Sequence, residues 1–328
     1  MAQEGSGSRS PYKVTGNNLK AKPLGEADEI LPVLTPERGL MRVVASGARK
    51  PKSKIGGRRR LFVVNQLLIR PGRNLDRIGQ AELVVSYPGL SRDLGRLAAA
   101  QYWSELVLSQ ALSEQPQSEL FDTLLEHLQR LDSLAIAPNF QERVASLLAL
   151  LCHGIYHLLR VAGVAPQVKS CGLTQQPVVI GEDSQWRIGF SAAIGGVVTL
   201  DALDRASPAM LAGHGVQVPE LEGDGSGANG GDTGEGTRLN PRTTAKFMPR
   251  SLTAREVTLL QSLASPKGEH AEHTDRISSP SQDSRPESPQ DFIAWVQIER
   301  TLRHYAQYHL GKGIRSATLI DTYTQTRP

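Results

Sequence analysis

Residues 38–77 combine a dense positive charge with short apolar segments of the length and composition typical of β-strands. This stretch holds twelve lysine and arginine side chains against one acid, Asp76. The whole chain has a formal charge of +4, so a stretch at +11 leaves −7 for all other residues. Because the asymmetry is confined to one small β-domain, it predicts a polyanionic partner, and nucleic acid is the first candidate.

Extended patterns recur along this part of the chain, separated by glycine, proline and charged residues. They cover Tyr12–Lys22, Glu29–Thr35, Leu40–Ser46, Leu61–Arg70 and Leu75–Ser86. Five strands within about 75 residues predict a small barrel over residues 12–88. The OB fold closes at this size and offers a groove for single-stranded nucleic acid, although an SH3-like barrel would give the same pattern.

Helical periodicity begins at Leu94 and continues to about residue 162. Two amphipathic helices are predicted first, and a third, opened by Pro138, is so apolar that we expect it at the centre of a bundle. Gly163 and Pro166 should terminate it. The fold class is therefore α+β and multidomain, with a helical domain at 90–170 after the barrel.

The remaining boundaries follow from composition. We expect a disordered lead-in at 1–11, an irregular subdomain at 171–203 with β-like pieces at 177–180 and 186–190, and two disordered inserts at 204–250 and 265–289. A helix at 251–264, capped by Thr253, should separate the inserts. A C-terminal helix at 290–318 should return to the helical domain.

The candidate nucleic-acid-binding residues are the cations of the basic stretch. They are Arg42, Arg49, Lys50, Lys52, Lys54, Arg58, Arg59, Arg60, Arg70, Arg73 and Arg77. None of the three consecutive arginines is expected in the core. Aromatic residues are scarce here, so phosphate contacts should dominate over base stacking. The alternative is a solvated loop or a targeting patch, but cations on flanking strands favour a groove-wide surface.

Motifs for catalysis are weak. His153 and His157 have the i, i+4 spacing of a metal pair, but Gly154 occupies the position at which a metalloprotease needs its glutamate. Phosphate-binding glycine loops and nucleophile elbows do not occur, so no enzymatic activity is expected. Two cysteines without a disulfide pattern favour a reducing cytoplasm, and histidines and an arginine interrupt the apolar run at 144–166, so no membrane span is expected.

Several separate segments resemble the RecO family of bacterial recombination and repair proteins, in the family's order. In the basic β-domain they are Gly25–Gly39, Val43–Gly57 and Ala81–Ser86; in the helical part they are Tyr102–Leu106, Glu119–Phe121, Leu158–Val168 and Leu302–Leu310, followed by Arg315 and Ser316. The resemblance covers residues 12–202 and 290–318.

The chain departs from the family at one place. In many members, two Cys-x-x-Cys pairs that follow the turn at Gly163–Pro166 hold zinc. Here the first pair is Cys171-Gly172-Leu173-Thr174, and the second falls near Thr199–Ala202, without cysteine. One thiolate cannot replace four tetrahedral ligands. We therefore expect a degenerate zinc-finger-like subdomain and no zinc or other cofactor.

The resemblance implies a non-enzymatic mediator that binds single- and double-stranded DNA, anneals complementary strands and, with RecR, helps to load RecA. It also implies contact with the acidic C-terminal tail of single-stranded DNA-binding protein, for which Arg143, His153 and Arg160 are candidates. The alternatives from the residues themselves are an RNA-binding barrel protein of the translation apparatus and, more remotely, a metal hydrolase using His153 and His157.

Overall fold

The computed structural model describes residues 10–51, 53, 55–213, 249–265 and 289–325. Contacts divide the chain into two units, one comprising Met1–Ala165 with Lys267–Pro328 and the other Pro166–Pro266. The protein is α+β, with a six-stranded N-terminal sheet followed by helices. Most of the predicted lead-in and of the two inserts lies outside the described residues.

The N-terminal sheet contains β1 (Tyr12–Asn18), β2 (Lys22–Leu24), β3 (Asp28–Thr35), β4 (Gly39–Ala45), β5 (Val64–Arg70) and β6 (Asp76–Val85). The strands pair in the order β1-β5-β6-β4-β3-β2, and β3 also pairs with β1, so five strands follow one another in a ring. All pairs are antiparallel except β4 with β6.

The core of this sheet is built from alternating inward residues of several strands, including Val14, Val33, Val43 and Ile69. Gly16 on β1 has no room for a side chain, because a Cβ there would lie 2.3 Å from Val33 Cγ1. The side chains between the core positions point outward, which fixes the face on which the strand cations lie.

Two strand predictions were wrong in extent. The stretch Tyr12–Lys22 forms two strands, because Leu19 turns inward to 3% exposure and its amide donates to the Pro32 carbonyl at 3.0 Å. Residues 61–63 do not belong to β5, since Phe62 has a left-handed φ of 63° and is buried.

The helices of the first unit begin after a 3₁₀ turn at Pro88–Arg92. They are α1 (Leu94–Gln110), α2 (Ser118–Asp132) and α3 (Phe140–Val161), with Asp93 and Asn139 as N-caps of α1 and α3. Gly163, at φ 73°, ends α3 by donating to the Arg160 carbonyl at 2.9 Å.

Two further helices come from the C-terminal part of the chain. These are α7 (Pro289–Leu310), which packs along α3, and α8 (Ala317–Gln325), which packs against α1. The sequence analysis missed α8, whose short run contributes Ala317 and Ile320 to the core.

The second unit holds β7 (Arg187–Ser191), β8 (Gly196–Val198) and β9 (Arg250–Thr253) in the order β8-β7-β9. Its helices are α4 (Leu200–Asp204), α5 (Pro208–Gly213) and α6 (Ala254–Leu263). Thr253 caps α6 as predicted, in a capping box with Glu256.

Two expectations for this unit were wrong. The β-like piece at 177–180 forms no strand, and Val179 is 82% exposed, although Pro177 makes an isolated bridge to Ser170. The first insert was predicted to begin at 204, but Ala206 and Leu211 are buried in the core of the unit, and this apolar area orders the chain through Gly213.

Candidate nucleic-acid interface

The segment between β4 and β5, residues 46–63, carries most of the predicted cations and is here called the cationic loop. The Asn18 side chain donates to the carbonyls of Arg58 and Arg60 at 2.7 and 3.2 Å, and Asn65 donates to Arg58 at 2.9 Å. Ala48 and Phe62 are buried at 1% and 3% exposure. The backbone is therefore anchored at several points, and its side chains project from a defined support.

The cations of this loop differ in their surroundings. Arg49, Lys50, Arg58 and Arg60 are exposed, and Arg49 also donates to the Gly25 carbonyl at 3.0 Å. Lys52 and Lys54 lie outside the described residues.

Arg59 differs from the other arginines of this loop. Its guanidinium forms an ion pair with Glu29 at 2.7 Å, and the exposed fractions of the two side chains are 33% and 8%. A buried carboxylate holds this arginine against the sheet, so it supports the fold. The signal in the sequence was an acid at an inward position of a predicted strand, thirty residues before Arg59.

Arg42, Arg70 and Arg77 lie on three adjacent strands, β4, β5 and β6, and are here called the arginine band. Arg70 is the register partner of Arg77, and Arg77 is the partner of Val44 across the parallel β4–β6 pair. All three arginines are exposed, while Val43, Ile69 and Ile78 beside them belong to the core. The band therefore follows the outer face across the strands.

The band and the cationic loop are adjacent. Arg77 Nη1 donates to Ser46 Oγ at 3.2 Å, which links β6 to the first residue of the loop. Arg73 is exposed in the turn between β5 and β6, and it lies between Arg70 and Arg77 in the sequence. Several exposed cations therefore lie on the same part of the sheet as the start of the cationic loop.

Two further cations, which are not among the predicted binding residues, lie beside this surface. Lys13 on β1 is exposed and is the register partner of Leu68, two residues before Arg70 on the same face of β5. Arg38 lies over the Tyr12 ring, with 4.3 Å from its guanidinium carbon to the ring centroid. Arg38 already belongs to the basic stretch at 38–77, and Lys13 would have been found by extending the charge count to the strand before that stretch.

Tyr12 is poorly placed as a stacking platform, because Arg38 covers its ring and its hydroxyl donates to Asp76 at 2.5 Å. Burial, together with Asp76, raises the pKa of Tyr12 to about 12, so the hydroxyl stays protonated. With Phe62 in the core, the surface offers cations and few open aromatic rings. It suits phosphate contacts better than base stacking.

The three candidate tail-binding residues all lie on α3 but do not meet. Ten residues of helix separate Arg143 from His153, about 15 Å along the axis. Arg143 lines a shallow open cleft with apolar side chains of the α2–α3 connection, among them Leu134 and Ile136. Ile136 is 68% exposed.

His153 and Arg160 instead belong to a cluster between α2 and α3. His127 Nε2 lies 3.1 Å from His157 Nδ1, and Arg160 Nη2 lies 2.8 Å from His157 Nε2. Arg130 Nη1 is 3.4 Å from His153 Nδ1. Burial, followed by the neighbouring His153 and His157, holds the pKa of His127 well below its usual range.

The described residues contain no group of histidine, cysteine, aspartate or glutamate side chains arranged to hold a metal ion. In the histidine cluster, Arg130 and Arg160 bring positive charge to the place where a cation would bind. Gly154, between the two α3 histidines, is required by packing, because a Cβ would lie 2.4 Å from the Trp103 indole. Helix packing therefore accounts for the glycine at the position where a metalloprotease needs its glutamate.

Helix α3 is long and apolar enough to cross a membrane by length and composition alone. Of its apolar window, 61% is buried in the structure. This is the pattern of a core helix, as the sequence predicted.

Comparison with known proteins is consistent across the chain. Residues 10–87 match the family described as "Recombination protein O N terminal", and residues 91–207 match "Recombination protein O C terminal". The chain is 45% identical over 320 residues to "DNA repair protein RecO" of Trichodesmium erythraeum, covering 96% of this chain and 95% of the relative. It is 42% identical over 319 residues to the protein of the same description from Nostoc sp., covering 95% and 96%.

Proposed function

Because the chain belongs to the RecO family of DNA repair proteins, we propose that it is a non-enzymatic recombination mediator that binds DNA through the arginine band and the cationic loop. The observation that supports this most directly is the placement of Arg70 and Arg77 as register partners on the outer face. Like charges held this close need a counter-charge, and a phosphate backbone supplies one.

The ring of five strands supports an OB-type barrel as the scaffold of this interface. In such a barrel one face and its adjoining loops bind single strands. The cationic loop adjoins the arginine band through Ser46 and Arg77, so a strand crossing the band would reach the loop.

Strand annealing follows from the same charges. A cationic surface screens the repulsion between two phosphate backbones and raises their local concentration, so no catalytic group is required. The proposed partners are single- and double-stranded DNA, single-stranded DNA-binding protein and RecR, and through them RecA.

For the acidic tail of single-stranded DNA-binding protein, the Arg143 cleft is the better of the two candidate sites. It combines a guanidinium with apolar walls, which suits an acidic peptide that ends in an apolar residue. The cluster with His153 and Arg160 offers charge, but its arginine already contacts His157.

The test of the main proposal is annealing of complementary strands coated with single-stranded DNA-binding protein of the same organism. We expect the intact protein to anneal them and the Arg70→Ala/Arg77→Ala variant to do so more slowly. A preference for RNA over DNA of the same sequence would instead favour an RNA-binding protein of the translation apparatus. For the tail, Arg143→Ala should weaken binding of the C-terminal peptide, whereas Arg160→Ala should not.

A further inference from the structure

Four positions of the second unit lie in two neighbouring turns. Cys171 and Thr174 lie in a turn after Val168, and Thr199 and Ala202 lie at the start of α4, so both pairs have i, i+3 spacing. Cys171 Sγ is 3.8 Å from Thr199 Oγ1. Ala202 packs against the cluster that contains Cys171. These are the positions at which the family resemblance implies the zinc ligands.

Backbone hydrogen bonds hold the first turn in place. The Gln175 amide donates to the Cys171 carbonyl at 2.8 Å, and Gln175 has a left-handed φ of 58°. The Cys171 amide donates to the Gln176 carbonyl at 2.9 Å, and the Gly172 amide donates to Val197 at 2.8 Å. The last bond ties the turn directly to β8, from which α4 follows.

The second pair is held by a helix cap. Thr199 is the N-cap of α4, and its hydroxyl accepts from the Ala202 amide at 3.3 Å. The cap therefore fixes Ala202 relative to Thr199. Hydrogen bonds within the protein therefore contribute to holding both pairs.

The residues at these positions do not fit zinc. A structural zinc ion needs four sulfur or nitrogen ligands in a tetrahedron, and the set here supplies one thiol, two threonine hydroxyls and a methyl group. The space is instead lined by apolar side chains: Cys171 has 0% exposure and shares a buried cluster with Leu173, Ile194 and Val198.

We propose that this unit is a metal-independent counterpart of a zinc knuckle, in which packing and hydrogen bonds around Cys171 hold the two turns that a metal ion would otherwise join. The four positions remain in register, so cysteine at 174, 199 and 202 would create a tetrahedral tetrathiolate site. The inference goes beyond the proposed DNA function and does not depend on it.

The first experiment uses the wild-type chain. We expect elemental analysis of the purified protein to find no stoichiometric zinc, and a strong chelator to leave the unfolding curve and the proteolysis pattern of the unit unchanged. One zinc per chain, or unfolding on chelation, would overturn the proposal without bearing on DNA binding.

The second experiment restores the ligand set with Thr174→Cys/Thr199→Cys/Ala202→Cys. We expect one zinc per chain, and with cobalt the visible absorption of a tetrahedral tetrathiolate complex. The matched control is Thr174→Cys/Asp201→Cys/Asp204→Cys, which has the same number of thiols and the same spacing, but places the second pair at exposed positions of α4.

The control should bind cobalt more weakly and without the tetrahedral spectrum. Equal binding by both variants would show that positions 199 and 202 do not face Cys171 as proposed. If the restored variant does not fold with zinc present, Cys171→Ser in the otherwise unchanged chain decides. A second unit that still folds in this variant supports metal independence. A second unit that is lost in this variant, while added zinc stabilises it in the wild type, contradicts the proposal.

Discussion

Arg70 on β5 and Arg77 on β6 are register partners, so their side chains leave the sheet on the same face. Asp76, the acid next to them, is occupied elsewhere: it accepts from the Tyr12 hydroxyl at 2.5 Å and from the Gly72 amide at 3.1 Å. The two arginines are like charges at directly opposed positions, an arrangement that weakens a sheet. In the proposed complex, a DNA phosphate would supply the counter-charge.

Replacing both arginines, Arg70→Ala/Arg77→Ala, should lower DNA affinity and leave the free energy of unfolding unchanged or slightly higher. Each lost phosphate contact should reduce the slope of log K against log salt by about 0.7 for a single strand. The measurement is a salt titration of binding beside urea unfolding. Lys169→Ala/Lys312→Ala removes two exposed cations from other parts of the chain and is the control; an equal loss of slope there would contradict a specific role for the band.

The intact protein should bind single-stranded DNA mainly through charge. If about four to six phosphates are neutralised, the logarithm of the binding constant should fall with the logarithm of the salt concentration with a slope of about −3 to −4. Fluorescence anisotropy of a labelled oligonucleotide at increasing salt gives the slope. An affinity that does not change with salt would exclude the arginine band and the cationic loop as the main site.

Arg59 should behave differently from its neighbours. Arg59→Ala leaves Glu29 buried without its ion-pair partner, and Glu29 Oε2 already has no hydrogen-bond partner among the described residues. We expect a loss of about 1–3 kcal/mol in the free energy of unfolding. Arg58→Ala/Arg60→Ala should change stability little, and adding Glu29→Gln to Arg59→Ala should recover part of the loss. Equal stability of all three variants would argue against a structural role for Arg59.

The sequence predicted features that depend on local pattern and missed those that depend on distant partners. Thr253 as an N-cap and the central position of α3 follow from a few adjacent residues. The role of Arg59 depends on Glu29, thirty residues away. The surroundings of Arg143 and Arg160 on α3 depend on whether the α2–α3 connection or α2 faces them. Charge density locates a basic surface, but only the strand register shows that Arg42, Arg70 and Arg77 form one band.

The histidine cluster should make stability depend on pH. His127 has 0% exposure and a pKa lowered by burial, so the unfolded chain binds its proton more readily than the folded one. The stability that neutral His127 contributes is fully present above its unfolded-state pKa of about 6.5, and it is lost as pH falls through its lower folded-state pKa. Burial also lowers the pKa of His157, which adds to the effect.

His127→Gln should therefore flatten the fall in unfolding free energy between neutral and acidic pH, by up to about 1.4 kcal/mol per pH unit. Urea unfolding at several pH values measures it. His304→Gln, at an exposed position of α7, is the control. If both variants retain the wild-type slope of unfolding free energy against pH, the histidine cluster does not cause the pH dependence.

Arg303 should be the most sensitive charged residue of the helical part. Its guanidinium bonds Glu299 at 2.6 and 2.9 Å and Asp321 of α8 at 2.8 and 2.9 Å, and Glu299 is 2% exposed. Burial raises the pKa of Glu299, and Arg303 works against that rise. Arg303 therefore helps to keep the buried Glu299 carboxylate charged.

Arg303→Met should cost about 3–5 kcal/mol, because it leaves a buried carboxylate unpaired and releases Asp321, which helps to hold α8 against the rest of the unit. Adding Glu299→Gln should recover much of this, since no buried charge then remains. Urea unfolding gives the stabilities, and proteolysis at the C-terminus reports on α8. Arg300→Met, at an exposed position of the same helix, is the matched control; if it costs as much as Arg303→Met, the buried network is not what stabilises this end of the molecule.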